Sequence, residues 1–94
     1  MYSLIFPESY LRREKAFIKK HPELISHYKK VLRLLELDPF HPSLKLHKLK
    51  GKFKDQCAVS INYAFRIILA FVVTDNGIIL IDIGHHDEAY WCGH

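Results

Sequence analysis

Four lysines alternate with other residues in the middle of the chain, at positions 48, 50, 52 and 54. Successive side chains of an extended segment point to opposite sides, so this spacing would place four ammonium groups on one side. Such a row suits contacts with the phosphates of a nucleic acid, which give salt-sensitive, sequence-independent affinity. It equally suits a solvated sheet edge whose charges discourage edge-to-edge aggregation. The sequence leaves both interpretations of Lys48, Lys50, Lys52 and Lys54 open.

Arg66 is the one charged residue in the apolar run 65–73. A guanidinium in such a place needs a carboxylate, carbonyl oxygens or an anionic ligand. It can form an ion pair with Asp82 on a neighbouring strand. Alternatively, it lies in a cleft and binds an anion there.

His86 follows the apolar segment 78–83 and shares the alternation parity of Asp82 and Gly84. Imidazole titrates near neutral pH, so His86 can act as a general acid or base. The competing interpretation is a solvated histidine in a C-terminal loop. His85 points elsewhere and is a lesser candidate.

Potential metal ligands are crowded into the last ten residues: His85, His86, Asp87, Cys92 and His94. Their spacing matches no standard zinc signature, and a terminal tail holds ligands poorly. We therefore expect no metal and no other cofactor.

Two helices are predicted to support these residues. Pro7 and Glu8 suit the start of the first helix, which runs to Lys20 and breaks at His21-Pro22. In the second helix, predicted over 22–37, apolar residues recur at three- and four-residue spacing. They are Leu24, Ile25, Tyr28, Val31, Leu32 and Leu35.

Strands are predicted at 2–6, 56–61, 65–73 and 78–83. Asn76-Gly77 is typical of a tight hairpin between the last two. We predict an α+β fold in the order β-α-α-β-β-β, with two N-terminal helices packed on a twisted antiparallel sheet.

Ninety-four residues suffice for a single domain, 1–94, with a formal charge of +4. Five lysines and no acidic residue lie between Asp38 and Asp55, which favours an anionic partner: nucleic acid, a membrane surface or an acidic protein. The apolar runs are far shorter than the ~20 residues of a membrane helix. Because Cys57 lies in a strand-like run and Met1-Tyr2-Ser3 shows no signal peptide, we expect a reduced, cytoplasmic protein.

The order of these features resembles the RelE/ParE superfamily of toxins from bacterial toxin–antitoxin pairs. The features are a basic segment with a Lys-Gly turn, strands carrying Ile61-Asn62-Tyr63 and Phe65-Arg66-Ile67, a hairpin, and Asp82-Ile83-Gly84 followed by histidines. The resemblance covers almost the whole chain and is closest to the RelE-like messenger-RNA endonucleases.

The resemblance implies a metal-independent endoribonuclease that cleaves messenger RNA on the translating ribosome. Arg66 matches an arginine that stabilises the scissile phosphate, and His86 matches a catalytic histidine or arginine. Tyr90 matches an aromatic residue that positions or stacks a base, and His47 a second catalytic histidine of some relatives. The match at His47 depends on one residue, and the alternative is a surface or helix-packing histidine. Lys52 and Lys54 would hold the RNA backbone. The implied partners are messenger RNA, the ribosome and a cognate antitoxin that covers the basic cleft, without a membrane.

Ser60 departs from the pattern, because relatives with strong RNA cleavage often carry a basic residue or histidine on this strand. The alternative is a ParE-like toxin that inhibits DNA gyrase and cuts nothing, or a decayed relative that only binds its antitoxin. His86 and Tyr90 favour the nuclease, and Ser60 favours the alternative. Codon preference, the antitoxin's identity and the oligomeric state stay open.

Overall fold

Two helices cover one face of a five-stranded sheet in the computed structural model, which describes residues 1–51, 55–73 and 75–85. The strands lie in the order β1-β5-β4-β3-β2. The elements are β1 Ser3–Ile5, α1 Glu8–Lys20, α2 Ile25–Leu37, β2 His47–Lys48, β3 Cys57–Ser60, β4 Phe65–Val72 and β5 Gly77–His85. Short 3₁₀ turns occupy Pro22–Leu24 and Pro42–Leu44.

Prolines set the beginnings and ends of the helices. Pro7 caps α1 in an extended conformation, and Glu8 places a negative charge at the positive end of the helix dipole. His21 leaves helical geometry, as expected for the residue before Pro22. The chain then makes one 3₁₀ turn, so α2 begins at Ile25 rather than at Pro22.

The predicted packing of two helices on the sheet is confirmed, but the sheet is mixed rather than wholly antiparallel. β3, β4 and β5 form antiparallel pairs, whereas β1 runs parallel to β5, with Ser3 opposite Gly77. No hairpin joins β1 to β5, so the local chain does not impose an antiparallel pairing. The basic segment also contributes the two-residue strand β2 at the far edge, antiparallel to β3.

The predicted hairpin of the last two strands is confirmed. Asp75 and Asn76 carry the positive φ values of its turn, 62° and 49°. Gly77 is already the first residue of β5, where an added Cβ would come within 3.1 Å of the Val72 Cβ. Gly77 is therefore needed for the close packing of the two strands, whereas Asp75 and Asn76 adopt the left-handed conformation of the turn.

The larger core lies between the helices and the sheet, and a smaller one, formed by Leu49, Ala58 and Ile68, lies on the other face. In the larger core, the Tyr28 hydroxyl donates a 2.6 Å hydrogen bond to Glu14 Oε2, and the Tyr10 hydroxyl lies 2.7 Å from that of Tyr28. This chain of polar groups ties α1 to α2. No helix in the described ranges is long and apolar enough to cross a membrane.

Candidate functional site

Arg66 lies at the start of β4, between two strands that offer small neighbours. Its cross-strand partners are Ser60 on β3 and Gly84 on β5. Cross-strand partners share a face of the sheet, so the half-buried guanidinium emerges between a hydroxymethyl group and a hydrogen. Neither of these two neighbours covers Arg66 with a large side chain.

His47 on β2 reaches the same place from another strand. Its Nε2 lies 3.5 Å from Nη1 of Arg66, and its Nδ1 lies 3.0 Å from the carbonyl oxygen of Lys45. A carbonyl only accepts and a guanidinium only donates. Both contacts are satisfied by the neutral imidazole that carries its proton on Nδ1 and a lone pair on Nε2. The structure thus brings together a cation and a potential base.

Asp82, the alternative ion-pair partner of Arg66, is engaged with α1. Within the described part of the chain, its Oδ1 lies 3.7 Å from Nε of Arg13, which also donates to the carbonyl of Ile81 at 3.1 Å. A bulge leaves Ile81 without a partner on β4 and sets Asp82 opposite Ile68, two pairs along the ladder from Arg66.

Lys48, the first lysine of the row, lies on the side of the sheet opposite His47. Lys48 is opposite Cys57, which belongs to the helix-side core, whereas His47 is opposite Ala58 on the other side. Beyond β2 the extended path is interrupted, because Gly51 has a φ of 70°. Lys48 and Lys50 are exposed. Lys52 and Lys54 lie outside the described residues, and the row of four ammonium groups stays a prediction.

His85 lies on the helix side of the sheet, away from Arg66. It is opposite Phe65, with the two ring centroids 5.3 Å apart, in a cleft that also contains Phe17 and His21. The sequence-based view that His85 points elsewhere than the catalytic candidates agrees with this position. His86 and Tyr90 lie outside the described residues, so their roles remain predictions.

Phe40 is a feature that the sequence analysis did not single out. Its ring stacks on Phe71 of β4, and both border a pocket of about 380 Å³ that also includes His47 and Lys48. Burial raises the pKa of the Cys57 thiol in this pocket, with Lys48 opposing the effect. The sequence shows only a phenylalanine between two prolines, and no pattern near Phe40 in the chain predicts that it lies beside His47.

Comparison with solved structures finds the same fold in known toxins. A YoeB/ParE toxin from Agrobacterium tumefaciens superposes with a TM-score of 0.71 and 15% identity, over 89% of this chain and 98% of the other. The E. coli DinJ-YafQ toxin-antitoxin complex superposes with a TM-score of 0.71 and 18% identity, over 90% of this chain and 92% of the other.

The chain has the RelE/ParE toxin fold. The toxin–antitoxin complex YoeB-YefM of Staphylococcus aureus shares it, with a TM-score of 0.70 and 17% identity over 92% of this chain and 98% of the other. No protein-family model matches the sequence, and a search of curated proteins found no match. At these identities the RelE/ParE likeness concerns the fold, so the chemistry must be argued from this chain's own residues.

Proposed function

We propose that this protein is the toxin of a type II toxin–antitoxin pair and that it cleaves messenger RNA without a metal ion. The observation that carries the proposal is the 3.5 Å approach of Arg66 Nη1 to His47 Nε2 on the face of the sheet away from the helices. RNA cleavage through the ribose 2′-hydroxyl needs a base beside a cation, and these two atoms supply both.

In the proposed reaction, Arg66 turns its Nη1–H from His47 Nε2 to the bound phosphate, which frees the lone pair of Nε2. His47 Nε2 then takes the proton of the 2′-hydroxyl as its oxygen attacks the adjacent phosphorus. Arg66 binds the non-bridging phosphate oxygens and stabilises the negative charge that accumulates on them. The bond from phosphorus to the 5′-oxygen breaks, and that oxygen must receive a proton. His86 is the candidate donor. The products are a 2′,3′-cyclic phosphate and a 5′-hydroxyl end.

The backbone around His47 suits the role of a base. The Nδ1 proton is directed at the carbonyl oxygen of Lys45. Lys45 follows the turn Pro42–Leu44 and has a left-handed backbone conformation, with a φ of 52°. This contact orients the ring and keeps the lone pair on Nε2. The ring is therefore presented to substrate in the tautomer that can accept a proton.

The partners follow from charge and from the fold. Exposed Lys48 and Lys50, with the lysines that follow them, would contact RNA phosphates. Toxins with this fold have been solved with antitoxins bound, as in the DinJ-YafQ and YoeB-YefM complexes. We propose a cognate antitoxin that covers the basic cleft, and cleavage of messenger RNA in association with the ribosome.

A second candidate function is a ParE-like inhibitor of DNA gyrase, or a relative that only binds its antitoxin. The observation that favours it is Ser60, which lies directly opposite Arg66 on β3 and adds no second basic group to the site. In this case Arg66 would contact a protein carboxylate rather than a phosphate.

Cleavage is tested by incubating the protein with messenger RNA, with and without ribosomes, and mapping both ends of each fragment. The proposal expects new 2′,3′-cyclic phosphate and 5′-hydroxyl ends in the presence of EDTA. Arg33→Ala, on the exposed surface of α2, is the matched control for Arg66→Ala. Intact RNA under both conditions, together with inhibited gyrase supercoiling, would instead select the second candidate.

A further inference from the structure

Phe40 is exposed yet held firmly in place. Phe40 is 62% exposed. Its backbone N–H donates a 3.0 Å hydrogen bond to Asp38 Oδ1, and the residue before it, Pro39, is buried. The ring stacks on Phe71, with centroids 5.8 Å apart and planes within 5°. Tyr2 packs edge-on against both rings. Ordering this ring for a ligand therefore costs little conformational entropy.

The pocket beside Phe40 combines an apolar floor with a cationic rim. Leu46, Cys57 and Phe71 supply apolar surface, and His47 and Lys48 border it. Its volume of about 380 Å³ is at the small end of ligand pockets, which span roughly 300–1,000 Å³. A flat aromatic group attached to an anion complements such a pocket, and a nucleotide has this composition.

His47 belongs both to this pocket and to the Arg66 site. His47 borders the pocket, and its Nε2 lies 3.5 Å from the guanidinium of Arg66. Lys48, on the opposite side of β2, faces the pocket from the side of Cys57. Cys57 and Phe71 pack on the helix side of the sheet, whereas Arg66 shares the other face with Ala58. A strand whose phosphate lies at Arg66 would therefore reach the pocket by passing around the edge strand β2.

We propose that the Phe40 pocket binds one base of single-stranded RNA, across the edge strand β2 from the phosphate held by Arg66. The base stacks on the Phe40 ring, and Lys48 contacts the phosphate that follows it. Base–aromatic stacking is a sequence-tolerant source of affinity on single strands. The pocket would thus select unpaired RNA and fix the position of the strand relative to His47. This inference rests on the proposed function, because it assumes that RNA is the ligand.

The test uses the full-length protein and a single-stranded 2′-O-methyl RNA oligonucleotide, which cannot be cleaved by 2′-hydroxyl attack. Binding is measured by fluorescence anisotropy for the parent and for Phe40→Leu, which keeps the side chain apolar but removes the stacking face. We expect affinity to fall about tenfold. Phe6→Leu is the matched control, because Phe6 follows β1 at the opposite edge of the sheet and should leave affinity unchanged.

A second oligonucleotide series, with single abasic nucleotides along the strand, identifies the group that Phe40 contacts. One abasic position should lower the parent's RNA affinity as much as Phe40→Leu lowers it on the intact strand. At that same position, the Phe40→Leu variant should lose little further affinity. Circular dichroism and thermal unfolding verify that the variant is folded.

The outcomes separate this inference from the proposed function. If the parent binds no RNA, the proposed function fails together with the pocket. If the parent binds and Phe40→Leu binds equally well, the pocket inference is overturned while the nuclease proposal stands. Equal losses on intact and abasic strands would also overturn it, because Phe40 would then support the protein rather than a base.

Discussion

Nη1 of Arg66 and Nε2 of His47 lie 3.5 Å apart, although the two residues are 19 positions apart in the chain. They come from strands that are not neighbours, since β3 lies between β4 and β2. The short side chains of β3 make the approach possible: Ala58 is opposite His47, and Ser60 is opposite Arg66. The small residue that the sequence analysis counted against catalysis thus also gives the two functional groups access to each other.

His47→Ala should lower RNA cleavage by roughly 10²–10⁴-fold, the usual contribution of a general base. RNA binding should change little, since lysines supply most of the phosphate contacts. Single-turnover cleavage and anisotropy binding measure the two effects separately. His41→Asn is the control, because this exposed ring hydrogen-bonds the nearby Ser43 and an asparagine oxygen can still accept from the Ser43 N–H that caps the turn. Unchanged cleavage by His47→Ala would remove His47 from the mechanism.

Arg66→Lys should reduce cleavage strongly although it keeps the positive charge. An ammonium cannot present the planar, forked set of donors that two phosphate oxygens require. The double variant Arg66→Lys, His47→Ala should be little worse than either single variant, because both groups act on one step. Losses that multiply fully would mean that the two residues act independently.

His86→Ala should lower cleavage by roughly 10²–10⁴-fold while the fold and antitoxin binding stay intact. The rate should fall because His86 donates a proton to the leaving 5′-oxygen in the proposed reaction. A substrate with a 5′-thio leaving group, which needs no such proton, should restore much of the rate to the variant. If His86→Ala cleaves RNA and arrests growth as well as the parent, the gyrase-type or decayed toxin becomes the better interpretation.

RNA affinity should fall steeply with salt, with a slope of roughly −0.7 in log K against log salt for each neutralised phosphate. Lys48→Ala with Lys50→Ala should therefore flatten the slope by about 1.4, and Lys52→Ala with Lys54→Ala should act similarly. Lys29→Ala with Lys30→Ala on α2 is the charge-matched control. Equal slopes for the parent and both variants would exclude the basic segment from the interface.

The free energy of unfolding should fall as the pH rises above 10. Burial raises the pKa of Tyr10 and of Tyr28 above the ordinary value of 10.0. The unfolded chain then loses these protons first, so alkaline pH favours unfolding. Tyr28→Phe should weaken this alkaline dependence and cost roughly 1–3 kcal/mol at neutral pH, because Glu14 loses its donor.

Urea unfolding at several pH values between 7 and 11 measures both effects. Tyr63→Phe is the control, since Tyr63 is 93% exposed and should change neither quantity. An alkaline dependence that is identical in the parent and in Tyr28→Phe would mean that the buried hydroxyl is not its source.

The sequence by itself determined the local elements of this protein. Pro7 and Pro22 place the helix boundaries, the three- and four-residue spacing of apolar residues predicts α2, and Asp75, Asn76 and Gly77 allow the hairpin. Helix periodicity and turn conformation depend on residues close together in the chain, so a sequence pattern can reveal them. Arg66 was identified for the same reason, as a charge within an apolar strand.

Only the tertiary structure decided which distant residues meet. The parallel pairing of β1 with β5, the approach of His47 to Arg66, the ion pair of Asp82 with Arg13 and the position of Phe40 beside His47 all join separate elements. Such contacts depend on strand order and register, and a bulge of one residue between β4 and β5 is enough to change which side chains face each other. No periodic pattern of residues in the sequence reveals the order of the strands or the position of a bulge.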